Sequence, residues 1–324
     1  MTRNFIYIAV LIILGFSSAL GQTPTTSQTT SNSQVSLETI LTEGEKQTRF
    51  YQETFRNLLA EEKKTFEVFN KSGQPREQAV VESTLLIYQS PKDQNISSEL
   101  RNVIRVDGKS LPDSQKRSDL LFAELQKTST GVKELEKIQD ESLRYDKTLK
   151  VNNLTVSEAL VLSEKLRPFF NFTLAGTENF QGNEVYVINY QQTKKSPFIT
   201  INGNNTSSEQ VGFNYMGFDL PKSLRNSDVF MRGKLWIDAK TYRIWREERE
   251  LTIQAPNPVV LLATTLEYHP SEYEILVPKR ISMVTNELKK KDNQYTAVND
   301  IRLTFDYSKF RKTETDVRII DDDQ

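Results

Sequence analysis

The chain has 324 residues, with 42 Lys and Arg against 43 Asp and Glu, one histidine and a net charge of -1. That balance gives nucleic acid or an anionic membrane surface no electrostatic hold on the molecule. Cysteine is absent, which excludes disulfides, thiolate catalysis and cysteine-based zinc sites.

The N-terminus reads as an export signal over residues 1–21. Arg3 is a short basic region, residues 5–16 are an apolar run, and Ala19 and Gly21 are the small residues before a cleavage point. The run is short for a membrane span, and no lipid-accepting cysteine follows it. The expected product is periplasmic or secreted, with no transmembrane span after cleavage. Residues 22–34 are almost entirely Thr, Ser, Gln and Asn and predict a disordered leader. A single domain is expected over 35–324, made of a helix and N-terminal strands (35–107), helices (113–167) and a C-terminal sheet (169–310).

Within that domain a helix opens near Ser36, with Leu37, Ile40 and Leu41 on one face. The pattern then changes, and residues 58–70 and 78–90 read as two strands around a Gly- and Pro-containing turn at 71–75. A third strand at 100–106 stops at Asp107-Gly108. From 111 to about 149 the texture is helical, with Leu120, Leu121, Phe122, Leu125, Val132, Leu135, Ile138 and Leu143 as an apolar stripe. A further helix is predicted over 155–166, ended by Arg167-Pro168. These charge-laced helices fit a cover for a sheet, or a partner-binding coiled coil.

From Phe169 onward the chain is β again. Residues 170–174 and 183–190 form a hairpin across 178–182. A long connection over 194–231 carries the aromatic cluster Phe213, Tyr215 and Phe218, and connections of that length are often functional. The next hairpin pairs 234–237 with 242–253 across a turn opened by Asp238, whose carboxylate can accept the N–H two residues on. Alternation sets Leu235 and Ile237 on one face and Trp236 on the other. Residues 259–268 and 274–285 make another hairpin, and 298–307 close the sheet. The tail 321–324 is expected to be solvated.

No catalytic constellation emerges. His269 is alone in a turn, the carboxylates of the Asp321–Asp323 tail lack a rigid frame for a metal, and no nucleophile elbow, phosphate loop or dinucleotide fingerprint occurs in the mature chain. Glu61-Glu62 and Glu247-Glu248 are sequence neighbours, so each pair is split between the two faces of its strand. No catalytic, metal or cofactor site is assigned. The positive signal is aromatic. Phe170, Phe172, Tyr186, Phe213, Tyr215, Phe218, Trp236 and Trp245 are the candidate ligand-binding residues, read either as core under a helical cover or as the wall of a lipophilic trough.

The run Gly233-Lys-Leu-Trp-Ile-Asp-Ala-Lys-Thr241 is similar to the Gly-x-Leu-Trp-Ile-Asp-x-x-Thr hairpin of the outer-membrane lipoprotein-sorting carriers (LolA- and LolB-like proteins). Thr264-Thr-Leu-Glu-Tyr268 followed by Val277-Pro-Lys-Arg-Ile281 resembles the succeeding hairpin of the same group. The likeness is best over 170–307. It implies an α+β fold: a strongly curved antiparallel β-sheet, an incomplete barrel, with helices packed on its concave side and a hydrophobic cavity able to take acyl chains. The expected function is that of a non-enzymatic exported protein binding lipid, acyl chains or a lipoprotein. Two alternatives stand beside it: an envelope protein-interaction or sensor module on the same fold, and an Asp/Glu-dependent hydrolase.

Overall fold

The computed structural model describes residues 35–55, 58–89, 97–114, 116–117, 140, 143–145, 159–197, 199–201, 213–215, 220–224, 228–253, 258–292 and 294–312. The expected signal, leader and tail and most of the helical stretch 113–158 lie outside these residues. Among the described residues no helix is long and apolar enough to cross a membrane.

Helix α1 (Leu37–Phe55) opens where expected and runs to Phe55. Ser36 caps it, its Oγ accepting the Thr39 N–H at 3.1 Å, which satisfies one of the four unpaired amides of the first turn. Its buried face carries Ile40, Leu41, Gly44, Thr48, Tyr51 and Phe55.

The strands β1 (Leu58–Phe69), β2 (Pro75–Gln89), β3 (Ser97–Val106), β4 (Lys109–Ser110), β5 (Phe170–Phe180), β6 (Asn183–Gln192), β9 (Val229–Asp238), β10 (Ile244–Ile253), β11 (Val259–Pro270), β12 (Leu276–Lys291) and β13 (Gln294–Lys312) form one sheet of 11 strands. The two short strands β7 (Ile199–Ile201) and β8 (Phe213–Tyr215) pair in parallel with each other, as a separate sheet. The main sheet is antiparallel throughout, in the order β4-β3-β2-β1-β13-β12-β11-β10-β9-β6-β5, and its two edges do not meet. Two of its turns need left-handed backbone at both central positions. Asp107 (φ 49°) with Gly108 (φ 75°) and Gln181 (φ 51°) with Gly182 (φ 85°) supply it, the geometry that a two-residue hairpin favours.

The last strand is the pivot. β13 pairs with β12 on one side and with β1 on the other, setting Phe66 opposite Leu303 and Lys64 opposite Phe305. The N-terminal strands thereby join the C-terminal meander through the end of the chain.

The inner face of the sheet carries Phe66, Val81, Leu85, Leu303, Phe305, Ile281, Met283, Leu266, Leu251, Leu235 and Ile188, all buried. Helix α1 packs on this face. A side chain at Gly44 would meet Leu162 and Ile237, Tyr51 packs edge-on against Tyr268 at 6.1 Å, and Phe55 approaches Phe310 at 6.0 Å. The outer face is a ladder of cross-strand ion pairs. Arg280–Asp306, Arg246–Glu267, Arg232–Glu250, Arg105–Glu82 and Arg302–Glu67 each join residues directly opposite in register. Such exposed pairs contribute a few tenths of a kcal/mol each.

One expected element is corrected. The helix predicted over 155–166 is not an α-helix in its described part. Residues 160–162 and 167–169 are single 3-10 turns, separated by Ser163 in extended backbone (ψ 147°). Ala159, Leu160, Val161, Leu162 and Leu166 are all buried. A segment buried on consecutive positions has no wet face to keep amphipathic, and Ala159 enters it left-handed (φ 39°) with its N–H bound to the sheet.

Candidate functional site

The inner face is not uniformly apolar. On β1 the covered parity reads Leu58, Ala60, Glu62, Lys64, Phe66, Val68, so two charged side chains sit in an otherwise hydrophobic row. Glu62 lies across from Ser83 on β2 and Tyr307 on β13. Arg101 reaches it from β3, with Nε 2.8 Å and 3.0 Å from the two Glu62 oxygens and Nη2 2.7 Å from Glu99 Oε2. Both the Arg101 and the Glu62 side chains are essentially fully buried, at 1% and 0% exposure. Ser83 donates to Glu62 at 3.3 Å. The Lys64 ammonium stands 5.2 Å from the Phe66 ring and 5.8 Å from the Phe305 ring, within cation–π reach.

Burial alone would raise the Glu62 carboxyl pKa. The charge and hydrogen bonds of Arg101, with Lys64 adding to them, hold it below its ordinary value instead. Burial and the neighbouring Glu62 carboxylate push the Tyr307 phenol well up, so it remains a neutral hydroxyl. The formal charges of Glu62, Glu99, Lys64 and Arg101 sum to zero.

A second buried cluster lies on β10, four strands along the sheet from the β1 strand of Glu62. Glu247 on β10 accepts from Arg249 Nε (3.0 Å) and from the Tyr190 hydroxyl (3.0 Å) at Oε1, and from Arg249 Nη2 (2.9 Å) and the Ala159 N–H (3.0 Å) at Oε2. Its hydrogen-bonding capacity is filled. Tyr190 reaches this carboxylate from β6 by passing over Gly233 on β9, its partner in register. A Cβ at 233 would fall well inside 3.0 Å of both the Tyr190 ring and the Glu248 carbonyl, so glycine is required here by close approach. Phe170 and Phe172 on β5 complete an aromatic group around Tyr190, with centroids 5.8 Å and 6.4 Å from its ring.

The eight candidate ligand-binding residues do not gather in one place. Phe170 and Phe172 share the inner face with Tyr190. Trp236 points to the outer face, where Arg246 and Lys234 lie over its ring at 5.1 Å and 5.3 Å and its indole N–H donates to Glu178. The Trp245 indole donates to Asp238 Oδ2 at 3.0 Å. Asp238 also accepts the Lys240 and Thr241 amides. Burial acts to raise the Asp238 pKa, but these donors, Trp245 first, bring it below the ordinary carboxylate value. Tyr186 stacks on Tyr242 at 6.4 Å. The strand β8 contains Phe213 and Tyr215, whose side chains, like all of Phe218, lie outside the described residues.

The two buried charge clusters are what sequence reasoning missed. The signal was parity. Glu62 and Lys64 share the covered register with Leu58, Phe66 and Val68, as Glu247 and Arg249 share it with Leu251 and Ile253. Among the described residues no group of three or more His, Asp or Glu side chains is placed to hold a metal ion.

The sequence matches no protein-family model, and no curated protein matches it. Among solved structures the chain is similar to a LolA superfamily protein from Nitrosomonas europaea, at 10% identity and a TM-score of 0.34, covering 87% of this chain and 96% of that one. It is likewise similar to a putative outer membrane lipoprotein-sorting protein domain from Vibrio parahaemolyticus, at 11% identity and 0.34, covering 85% and 95%. A DUF1329 family protein from Desulfovibrio piger matches at 9% identity and 0.30, covering 85% and 94%. At such scores the functional inference rests on the chain's own residues.

Proposed function

We propose that this is an exported envelope protein that binds an apolar, acyl-type ligand, a lipid or the acyl chains of a lipoprotein, against the inner face of its sheet, with the sheet curved into a half-barrel around it. One observation carries the reading. Buried apolar side chains occupy the inner face on consecutive strands from β2 through β1, β13, β12, β11, β10 and β9 to β6. Eight strands at about 4.8 Å spacing make a face roughly 35–40 Å wide, whereas a helix is about 10–12 Å across. Helix α1, the one long helix among the described residues, meets that face at Ile237 on β9, Tyr268 on β11 and Phe310 on β13, and β2, β1 and β6 lie to either side of those contacts. The remaining apolar width suits a second component between sheet and cover. Phe170 and Phe172, beside Tyr190, are the aromatic contacts we assign to such a ligand. The export signal read over residues 1–21 and the hairpin at Gly233–Thr241 agree with an envelope carrier.

Purified protein, extracted with organic solvent and analysed by lipid mass spectrometry, should yield co-purifying acyl lipid. The delipidated chain should take up a pyrene-labelled alkyl chain. Replacing Phe170 and Phe172 by Ala should weaken that uptake by about tenfold, the equivalent of roughly 1.4 kcal/mol of lost apolar contact. A clean apo protein that also ignores the probe overturns the reading.

The separate β7–β8 pair, bearing Phe213 and Tyr215, motivates a second reading as a protein-interaction or sensor module. Phe213→Ser with Tyr215→Ser decides between them: loss of a bound partner with unchanged probe uptake favours the module.

A further inference from the structure

The Arg101 guanidinium is incompletely used. Nε and Nη2 are taken by Glu62 and Glu99, but Nη1 is buried and has no hydrogen-bond partner among the described residues. A charged donor left unpaired in an interior is costly, so such a group calls for an acceptor. The donor lies on the inner face among apolar side chains, with its guanidinium carbon 6.0 Å from the Phe305 ring, and Phe305 stacks parallel to Tyr307 (6.4 Å, 4°).

We infer that Arg101 Nη1 is the polar subsite for the head of the bound amphiphile, and that it takes a neutral acceptor, an ester or amide carbonyl oxygen, in preference to a free carboxylate. Resting on the acyl-ligand reading above, this inference names the head-group chemistry. Charge decides it. Among the described residues the formal charges of Glu62 and Glu99 balance those of Arg101 and Lys64, which leaves the cluster no excess positive charge to offer an anion. Seating a carboxylate there would leave an uncompensated charge in a buried site, at a cost of several kcal/mol. A carbonyl oxygen fills the vacant donor position and adds no charge. The alkyl chain beyond it continues over the apolar row of Phe66, Leu303 and Ile281.

The experiment uses the full mature chain and three pyrene-labelled probes of equal chain length: a hydrocarbon, a methyl ester, and the free acid at pH 8. The ester should bind about tenfold more tightly than the hydrocarbon, the size expected of one charge-assisted hydrogen bond, and the acid should bind most weakly. In the wild type, a 13C-labelled ester carbonyl should show its infrared stretch at lower frequency when bound, the signature of a hydrogen bond to it. That readout needs no variant. Arg101→Lys, which keeps the charge but removes the fork, should narrow the gap between ester and hydrocarbon affinity from about tenfold toward none. Three results overturn the subsite and leave the acyl-ligand reading standing: an unshifted carbonyl band, an acid that binds as well as the ester, or a liganded crystal structure with only a water on Nη1. Failure of all three probes to bind overturns both.

Discussion

At the scale of single residues, Gly233 is the most tightly enclosed of the described glycines. Its missing side chain lets Tyr190 cross β9 and hydrogen-bond Glu247 on the strand beyond. Gly233→Ala would drive a methyl into the Glu248 carbonyl as well as the Tyr190 ring. The first of these is backbone and has no rotamer to escape by. The expected loss is about 3 kcal/mol or more by urea unfolding, beyond the 1–3 kcal/mol typical of simple overpacking. Gly233→Ala with Tyr190→Ala relieves only the ring contact, so it should remain destabilised. The pH dependence of stability has its residue too. The Glu62 carboxyl is depressed in the fold, against burial, by Arg101. A depressed pKa gives stability that is complete above the unfolded value, about 4.3 for glutamate, and is lost as pH falls from there through the folded value. Glu62→Gln should therefore be less stable than wild type at neutral pH and show a flatter acid limb in unfolding midpoints taken from pH 6 to pH 2. At this scale the sequence was legible by parity alone. Alternation separated Leu235 from Trp236 correctly, but it does not say which face is covered. The answer, with Leu235 inside and Trp236 under Arg246 and Lys234 outside, depends on strands far away in the chain.

At the scale of elements, strands were read more readily than the segment over residues 159–169. Strong β-branched and aromatic content, with Asp-Gly and Gln-Gly turns, marks β1, β2 and β3 to within three residues, whereas β5, β12 and β13 run five or six residues past their expected ends. In residues 155–166, leucine spacing predicts a helix, yet residues 160–162 make a single 3-10 turn followed by Ser163 in extended backbone, because a tertiary contact overrides propensity. That contact is the Ala159 N–H to Glu247. It sets a testable separation of roles. Glu247→Ala removes the buried carboxylate that Arg249 grips through both Nε and Nη2 and should cost about 3–5 kcal/mol. Glu247→Leu with Arg249→Met removes both charges and should recover much of that loss. It cannot restore an acceptor for Ala159. Hydrogen exchange at the amides of Leu162, Ser163 and Leu166, which are bonded within the turns, should therefore stay faster than wild type in the double variant even where global stability returns.

At the scale of the whole molecule, the two ends of the chain are interlocked. Helix α1, from the N-terminal part, packs on Ile237 and Tyr268 in the C-terminal meander. The C-terminal strand β13 pairs along β1, from Leu58 opposite Lys312 to Val68 opposite Ile301. Each part thus supplies the other's cover or its sheet neighbour, and neither has a complete core alone. Such far-separated pairing predicts slow folding and a single cooperative unfolding transition. The two tryptophans, Trp236 and Trp245, both lie in the C-terminal hairpin, so their fluorescence reports that part only, whereas far-ultraviolet circular dichroism reports the entire sheet. Phe66 on β1 is buried opposite Leu303 and lies remote in the strand order from β9 and β10. Phe66→Ala should cost about 3–5 kcal/mol. It should move the fluorescence midpoint and the dichroism midpoint by the same amount, because the strand it weakens is continuous through β13 with the strands that carry the indoles. A variant in which dichroism falls first, while tryptophan emission holds to the wild-type midpoint, would mean that the N-terminal strands melt as their own unit. The inner face would then be two faces, and a ligand spanning them from Arg101 to Phe172 would have no continuous surface on which to lie.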